Sequence, residues 1–327
     1  MIRCGALLLF IAASLSVTAN AAAPSSQPAQ RTFQFTYAAT VTGLQSGQVA
    51  RVWIPVTGDN SEQRVELLKQ DLPAPGQIVR EARYGNQVLY FQAPADANGS
   101  IALSVTYRVT RRETGEEPPA SLSNGVIDDM WLRADALVPV GGKSMSLLAG
   151  KTLPAGQVQL GRLLYDVVDD HMQYRKDKPG FGRGDADWAC DSGFGNCTDF
   201  HSLFISLARA NRLPARFEMG FSVPPTEVGK TESIAGYHCW AWFKPAGHSW
   251  VPVDISEANK NPAKRDYFFG HLDADRVAFS VGRDLELTPR QDGPAVNFLI
   301  YPYVEVDGKP WPAEKVTRKF SAEELTN

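Results

Sequence analysis

The stretch from Gly195 to Pro214 constrains the fold more than any other part of the chain, because it permits one short helix that begins at a cysteine. A flexible turn at Gly195 is followed by a polar cap, Asn196 or Thr198, and then by Phe200, Leu203, Phe204, Leu207 and Ala208. That i, i+3, i+4, i+7 spacing is the mark of a helix with one buried stripe. Pro214 cannot continue such a helix, so it ends near Asn211. Cys197 therefore sits in the first turn, where the positive end of the helix dipole favours thiolate over thiol. An isolated cysteine at a helix start is more often a small buried apolar residue than a nucleophile. Its meaning depends on what the rest of the chain brings to it.

Downstream, Gly236 to Phe243 and Ser249 to Asp254 are rich in aromatic and β-branched residues and flank Lys244-Pro245-Ala246-Gly247-His248, a segment with turn chemistry. A Pro245-Ala246-Gly247 loop, with Gly247 supplying a positive φ, pairs Lys244 with His248, Trp242 with Trp250, Trp240 with Pro252 and His238 with Asp254. Directly opposed side chains have Cβ atoms roughly 4.5 to 5.5 Å apart. A carboxylate at that range holds an imidazole by hydrogen bond. A slip of one residue would send every side chain to the other face, so the prediction rests on register.

The block Gly195-Asn196-Cys197-Thr198-Asp199-Phe200-His201-Ser202-Leu203-Phe204, the Leu213-Pro214-Ala215-Arg216 after the helix, the strand Tyr237-His238-Cys239-Trp240-Ala241-Trp242 and the closing Gly247-His248-Ser249-Trp250-Val251-Pro252-Val253-Asp254 resemble the transglutaminase-like superfamily. More narrowly, they resemble its bacterial exported members described as cysteine proteases. The resemblance spans roughly residues 155 to 260, about a third of the chain. It implies Cys197 as nucleophile, His238 as general base and acid, and Asp254 as the carboxylate that orients it. It also implies an α+β fold in which the nucleophile opens a helix packed on an antiparallel sheet, as in papain-like enzymes.

Those three groups suffice for acyl transfer. A Cys197 thiolate kept by His238 attacks an amide carbonyl to give a thioester, and the imidazolium protonates the departing nitrogen. Water as second nucleophile makes a protease or amidase, and an amine makes a crosslinking acyltransferase; of the two, hydrolysis is the reading adopted. The developing oxyanion needs donors, for which the Cys197 N–H and the indole of Trp188 are candidates. The substrate would be a peptide or protein. No cofactor and no metal are required. The competing reading is a noncatalytic binding or scaffold protein that keeps the fold.

Other residues carry less. His201, one turn after Cys197, reads as a packing or hydrogen-bonding residue, and His171, His248 and His271 as surface or structural ones. Of Cys4, Cys190, Cys197 and Cys239, the first lies in a leader, and a Cys190–Cys239 disulfide would leave Cys197 free. A zinc site is disfavoured, since the C-x6-C spacing of Cys190 and Cys197 fits no common pattern. Gly180-x-Gly182-x-Gly184 lacks the dinucleotide fingerprint, and Arg183-Gly184-Asp185 is a tripeptide frequent by chance. The glycine-rich connection from Gln173 to Asn196 is expected to border the cleft, with Thr226 to Ala235 as its opposite lip.

The 327 residues are too many for one ordinary domain. Arg3, an apolar run from Ala6 to Val17 and small residues around Ala21 predict a signal peptide over 1–23, hence an exported, periplasmic or secreted protein. No later stretch approaches the roughly 20 apolar residues that span a bilayer. A formal net charge of −3 shows no basic surplus for nucleic acid. Residues 24–150 read as an antiparallel β-sandwich, with alternation at Phe33, Phe35 and Tyr37 and strands near Val88 to Phe91 and Ile101 to Tyr107. Residues 151–262 form the catalytic domain, opened by a helix from Val158 to Met172. Residues 263–327 are expected as a β-rich extension packed on that core, and Tyr301-Pro302-Tyr303 as a packed aromatic corner.

Overall fold

The computed structural model describes residues 29–115 and 129–326; the expected signal peptide lies outside them. Among the described residues no helix is long and apolar enough to cross a membrane. The fold is α+β and its strand pairs are antiparallel except in one short two-stranded sheet.

The N-terminal part supplies β1 (Gln30–Val41), β2 (Val49–Pro55), β3 (Gln63–Asp71), β4 (Gln77–Arg80), β5 (Gln87–Pro94) and β6 (Ile101–Arg112). In β1 the alternate residues Phe33, Phe35, Tyr37, Ala39 and Val41 are buried, and in β6 Ile101, Leu103, Val105, Tyr107 and Val109. The pleat puts these side chains on one face. The opposite face carries hydroxyls that pair across strands, Thr32 with Thr110 and Thr36 with Thr106. Val52, Ile54, Leu89 and Phe91 from the second sheet join the same core.

The middle of the chain builds a helical layer on a second sheet. It contains α1 (Gln157–His171), β7 (Gln173–Tyr174), α2 (Ala186–Ser192), β8 (Phe194–Gly195), α3 (Cys197–Ala210), β9 (Ala215–Ser222), β10 (Thr231–Ile234), β11 (Tyr237–Phe243), β12 (Val251–Val253) and α4 (Ile255–Lys260). The connection before Cys197 is thus not a plain loop: it holds α2 and the parallel β7–β8 pair. Helix α3 is buried from Cys197 to Arg209 on every side, not along a single stripe. Its polar residues are correspondingly partnered, as buried polar groups must be. Ser206 donates to the Pro139 carbonyl, and Arg209 donates to the Ala215 and Arg133 carbonyls and pairs with Asp135 at 2.6 Å.

The C-terminal segment departs from expectation. Only β13 (Arg276–Val281) joins the middle sheet, whose order is β12-β11-β9-β13. The remaining strands, β14 (Tyr303–Val306), β15 (Lys309–Pro310) and β16 (Val316–Glu324), return to the sandwich. β16 pairs with β1 from Phe33↔Glu324 to Val41↔Val316, and β14 pairs with β2. The two five-stranded sheets are therefore β10-β16-β1-β6-β3 and β15-β14-β2-β5-β4. β1 and β2 each offer an edge that needs a partner, and Val316, Phe320 and Ala322 alternate inward to supply one. Leu285, Leu287 and Leu299 cover Trp53, Val88 and Tyr90 on the outside of the second sheet. Residues 231–234, expected as a cleft lip, form the edge strand β10.

Two side-chain amides stitch the sandwich to the sheet that carries His238. Gln63 accepts from the Ala278 N–H at 2.9 Å and donates to the Ala278 carbonyl at 3.1 Å. Asn86 does the same with Val281, both at 2.8 Å. Each amide imitates a strand neighbour on the open side of β13, so these edge groups are satisfied without another strand.

Candidate active site

Cys197 is the first residue of α3. Asn196 caps the helix, accepting from the Thr198 N–H at 3.0 Å, while Asp199 reaches back to the Asn196 N–H at 2.9 Å, a reciprocal capping box. Among the described residues none accepts from the Cys197 N–H, one of the free donors every helix start leaves.

Asp199 also binds the glycine loop. It accepts from Gly182 N–H at 2.7 Å and Gly184 N–H at 3.0 Å. Burial outweighs these donors and pushes its pKa up to about 6. At Gly182, with φ at +88°, a Cβ would stand 3.2 Å from Asn196 Nδ2 and 3.6 Å from the Tyr237 hydroxyl. The glycines let the loop lie directly on the start of α3. That is a physical reason for the glycine spacing, and it has nothing to do with nucleotides.

His238 and Asp254 do meet, though not by the predicted pairing. The observed register is Ala241↔Val253, Trp242↔Pro252 and Phe243↔Val251, two residues from the expected one. The turn between the strands is longer than three residues, and Asp254 leaves the ladder to cap α4. A slip of two preserves the face on which each side chain lies, so His238 Nε2 still reaches Asp254 Oδ2 at 2.7 Å. Asp254 is fully buried and His238 nearly so.

The electrostatics follow from these contacts. Burial disfavours the Cys197 thiolate, but hydrogen bonds from Cys239 and His238 and the imidazolium charge prevail, and its pKa falls to about 5. Burial likewise opposes the imidazolium of His238, yet the charge and hydrogen bond of Asp254 and its contact with Cys197 raise it to about 10. Asp254 is driven well below the usual carboxylate range; burial resists this, and His238 and Arg276 overcome it. Together these contacts favour thiolate, imidazolium and carboxylate over their neutral partners.

His201 takes no part in that row. Its Nε2 accepts from the Ile255 N–H at 3.1 Å and its Nδ1 faces the Cys239 sulfur at 3.5 Å. Burial lowers its pKa to about 4, so it is neutral and its 3.7 Å approach to Asp254 is no ion pair. It steadies the start of α4. Trp188 has its indole beside Gly180 and edge-on to Phe194. His171 binds the Cys190 carbonyl, His248 is exposed and His271 stacks on Tyr267. The Cys190–Cys239 bridge is not formed: all three described cysteines are free, with Cys190 turned to the Lys143 carbonyl and Cys239 to His201.

Two residues at the site escaped the sequence reading. Tyr237, next to His238, accepts from Asn196 Nδ2 at 3.0 Å. Arg276 donates to Asp254 Oδ2 at 3.0 Å from another strand, 22 positions away. Position next to the histidine could have flagged the tyrosine; no local pattern flags the arginine. His238, Asp254 and Glu257 bring three donor atoms within 4.8 Å of one another. Arg276 donates to Asp254 beside that cluster, and its charge opposes a cation there.

Residues 146–255 match the family model of the transglutaminase-like superfamily. This segment is a transglutaminase-like core. The chain is similar to an uncharacterized protein of Haemophilus influenzae, 27% identical over 321 residues, covering 85% of this chain and 86% of the relative. Among solved structures, a proposed cysteine protease from Cytophaga hutchinsonii aligns with a TM-score of 0.54 at 16% identity, over 91% of this chain and 93% of its own. The fold therefore extends beyond the transglutaminase-like core to the sandwich. The periplasmic domain of TgpA from Pseudomonas aeruginosa aligns at a TM-score of 0.38 and 14% identity, over 74% of this chain and 91% of that one.

Proposed function

We propose that this protein is an exported thiol enzyme that cleaves amide bonds of peptides or proteins, with Cys197 as nucleophile, His238 as acid and base, and Asp254 as orienting carboxylate. The observation that carries the reading is the buried row of Cys197, His238 and Asp254 at the start of α3, with the sulfur's pKa held at about 5. The thiolate adds to the carbonyl carbon, and the oxyanion collapses as the C–N bond breaks and the imidazolium gives its proton to the amine. Neutral His238 then takes a proton from water, whose oxygen attacks the thioester and releases the acid and the Cys197 thiolate, restoring the thiolate and imidazolium. The Cys197 N–H is the first donor for the oxyanion, and the Trp188 indole is the second candidate.

Water is favoured over an amine because Cys197 is only 2% exposed. A small second nucleophile reaches such a sulfur more easily than a lysine on a second folded protein. The same burial is what a noncatalytic scaffold would show, and labelling separates the two. An alkylating reagent at neutral pH should modify Cys197 faster than an ordinary thiol, and His238→Ala should slow it. Equal, slow labelling of both forms would point to the scaffold. A peptide library with a labelled amine, read by mass spectrometry, should give hydrolysis products in excess of amine adducts.

A further inference from the structure

Asp254 is shared. Its Oδ1 accepts from the Ser256 hydroxyl and the Glu257 N–H, both at 3.1 Å. Its Oδ2 accepts from His238 Nε2 at 2.7 Å and from Arg276 Nη1 at 3.0 Å. Arg276 is 2% exposed, and its Nε and Nη2 are taken by Asp273 Oδ1 at 3.0 and 2.9 Å. Its guanidinium lies over the Trp240 ring, 4.9 Å from the centroid. A buried arginine fixed on three sides stays charged and cannot swing away.

We propose that Arg276 is a positioning residue of the catalytic row: by dividing one oxygen of Asp254 with His238, it keeps Asp254 a carboxylate while limiting how tightly that carboxylate holds the imidazolium. This rests on the function proposed above. The two effects are separable. A carboxylate that must stay ionised in a dry site needs a permanent positive neighbour. An imidazolium that must release its proton to the leaving amine should not be bound by an undivided carboxylate. One guanidinium meets both needs, since it stabilises the anion and repels the cation.

The groups facing His238 are few. Asp254, at the cap of α4, and Glu257, 3.7 Å away and paired with Lys260, are the acids. Cys197 and His201 come from α3, and Arg276 reaches Asp254 from β13. Of these, Arg276 is the fixed positive charge held against the same oxygen.

The test is the titration of His238 by NMR in histidine-labelled full-length protein, with each variant compared in a Cys197→Ala background so that the midpoint falls in an accessible range. Arg276→Gln should raise the midpoint by about one pH unit, the low end of the effect of a nearby charge. Arg276→Lys should restore it. Asp273→Asn removes the anion that partly neutralises Arg276 and should move the midpoint down. A purely structural role for Arg276 leaves the midpoint in place in folded variants, and that result overturns the proposal. If Arg276→Gln does not fold, the Asp273→Asn shift decides alone. Slow labelling of Cys197 in the otherwise unaltered protein overturns the proposed function instead, so the two failures are distinguishable.

Discussion

The sandwich and the helix α3 bury their residues by different rules. In β1 one face is apolar and the other carries hydroxyls, and the inner row runs Phe33, Phe35, Tyr37, Ala39, Val41 without interruption. In α3 no face is wet, so Asp199, His201, Ser202, Ser206 and Arg209 are as buried as Leu203 and Phe204. The sandwich is held by area removed from water, roughly 25 cal/mol per Å². The catalytic region is held in addition by specific polar pairs, each costly to leave half made. Robustness in one region and precise placement in the other follow from that difference.

Substitutions can test the contrast. The largest effect belongs to Cys197→Ser, which should lower amide cleavage by more than ~1,000-fold, as loss of a nucleophile does elsewhere, with the thermal melting point nearly unchanged. A fall in both would mean that the sulfur is a core residue first. Next in size is acidity. Cleavage should rise as pH passes about 5 and the thiolate forms, and decline above about 10 as the imidazolium loses its proton. A pH-rate profile of the wild type checks both limbs, and a single limb centred near an ordinary thiol pKa would break the ion-pair picture.

In the sandwich, Phe91→Ala should cost about 3 to 5 kcal/mol in denaturant melts, while the protein that remains folded labels at Cys197 at the wild-type rate. At the seam, Asn86→Ala strands both backbone groups of Val281 and should cost about 1 to 3 kcal/mol. Hydrogen exchange should then quicken at β13 before it does at β6. Smallest is Thr106→Ala on the wet face of β6, expected within about 0.5 kcal/mol. A large loss there would show that the outer face is covered.

What could be read in the sequence divides along the same line. Alternation in β1 and β6 and the apolar stripe of α3 are local signals, and they were legible because one set of side chains is uniformly apolar. Cys197, His238 and Asp254 were found through order, spacing and family resemblance, and the structure brings them together. The hairpin shows the limit of counting. The register was two residues off, yet Asp254 still reached His238 because side chains repeat every two. Partner choice was not legible: nothing in Val316 to Glu324 says that it lies against β1 and not against the sheet that carries His238, because both edges accept alternating strands. Arg276 was hidden for a related reason. An arginine at a strand start looks solvated until the fold covers it.

The pairing of β16 with β1 also closes the sandwich across a long stretch of chain. β1 and its partner β16 stand on either side of the whole transglutaminase-like segment in the chain. β10, just upstream of the strand that carries His238, lines up on that same β16. The sandwich edge and the strand that leads toward His238 thus settle through the same long-range closure, a kind of non-local pairing that forms slowly.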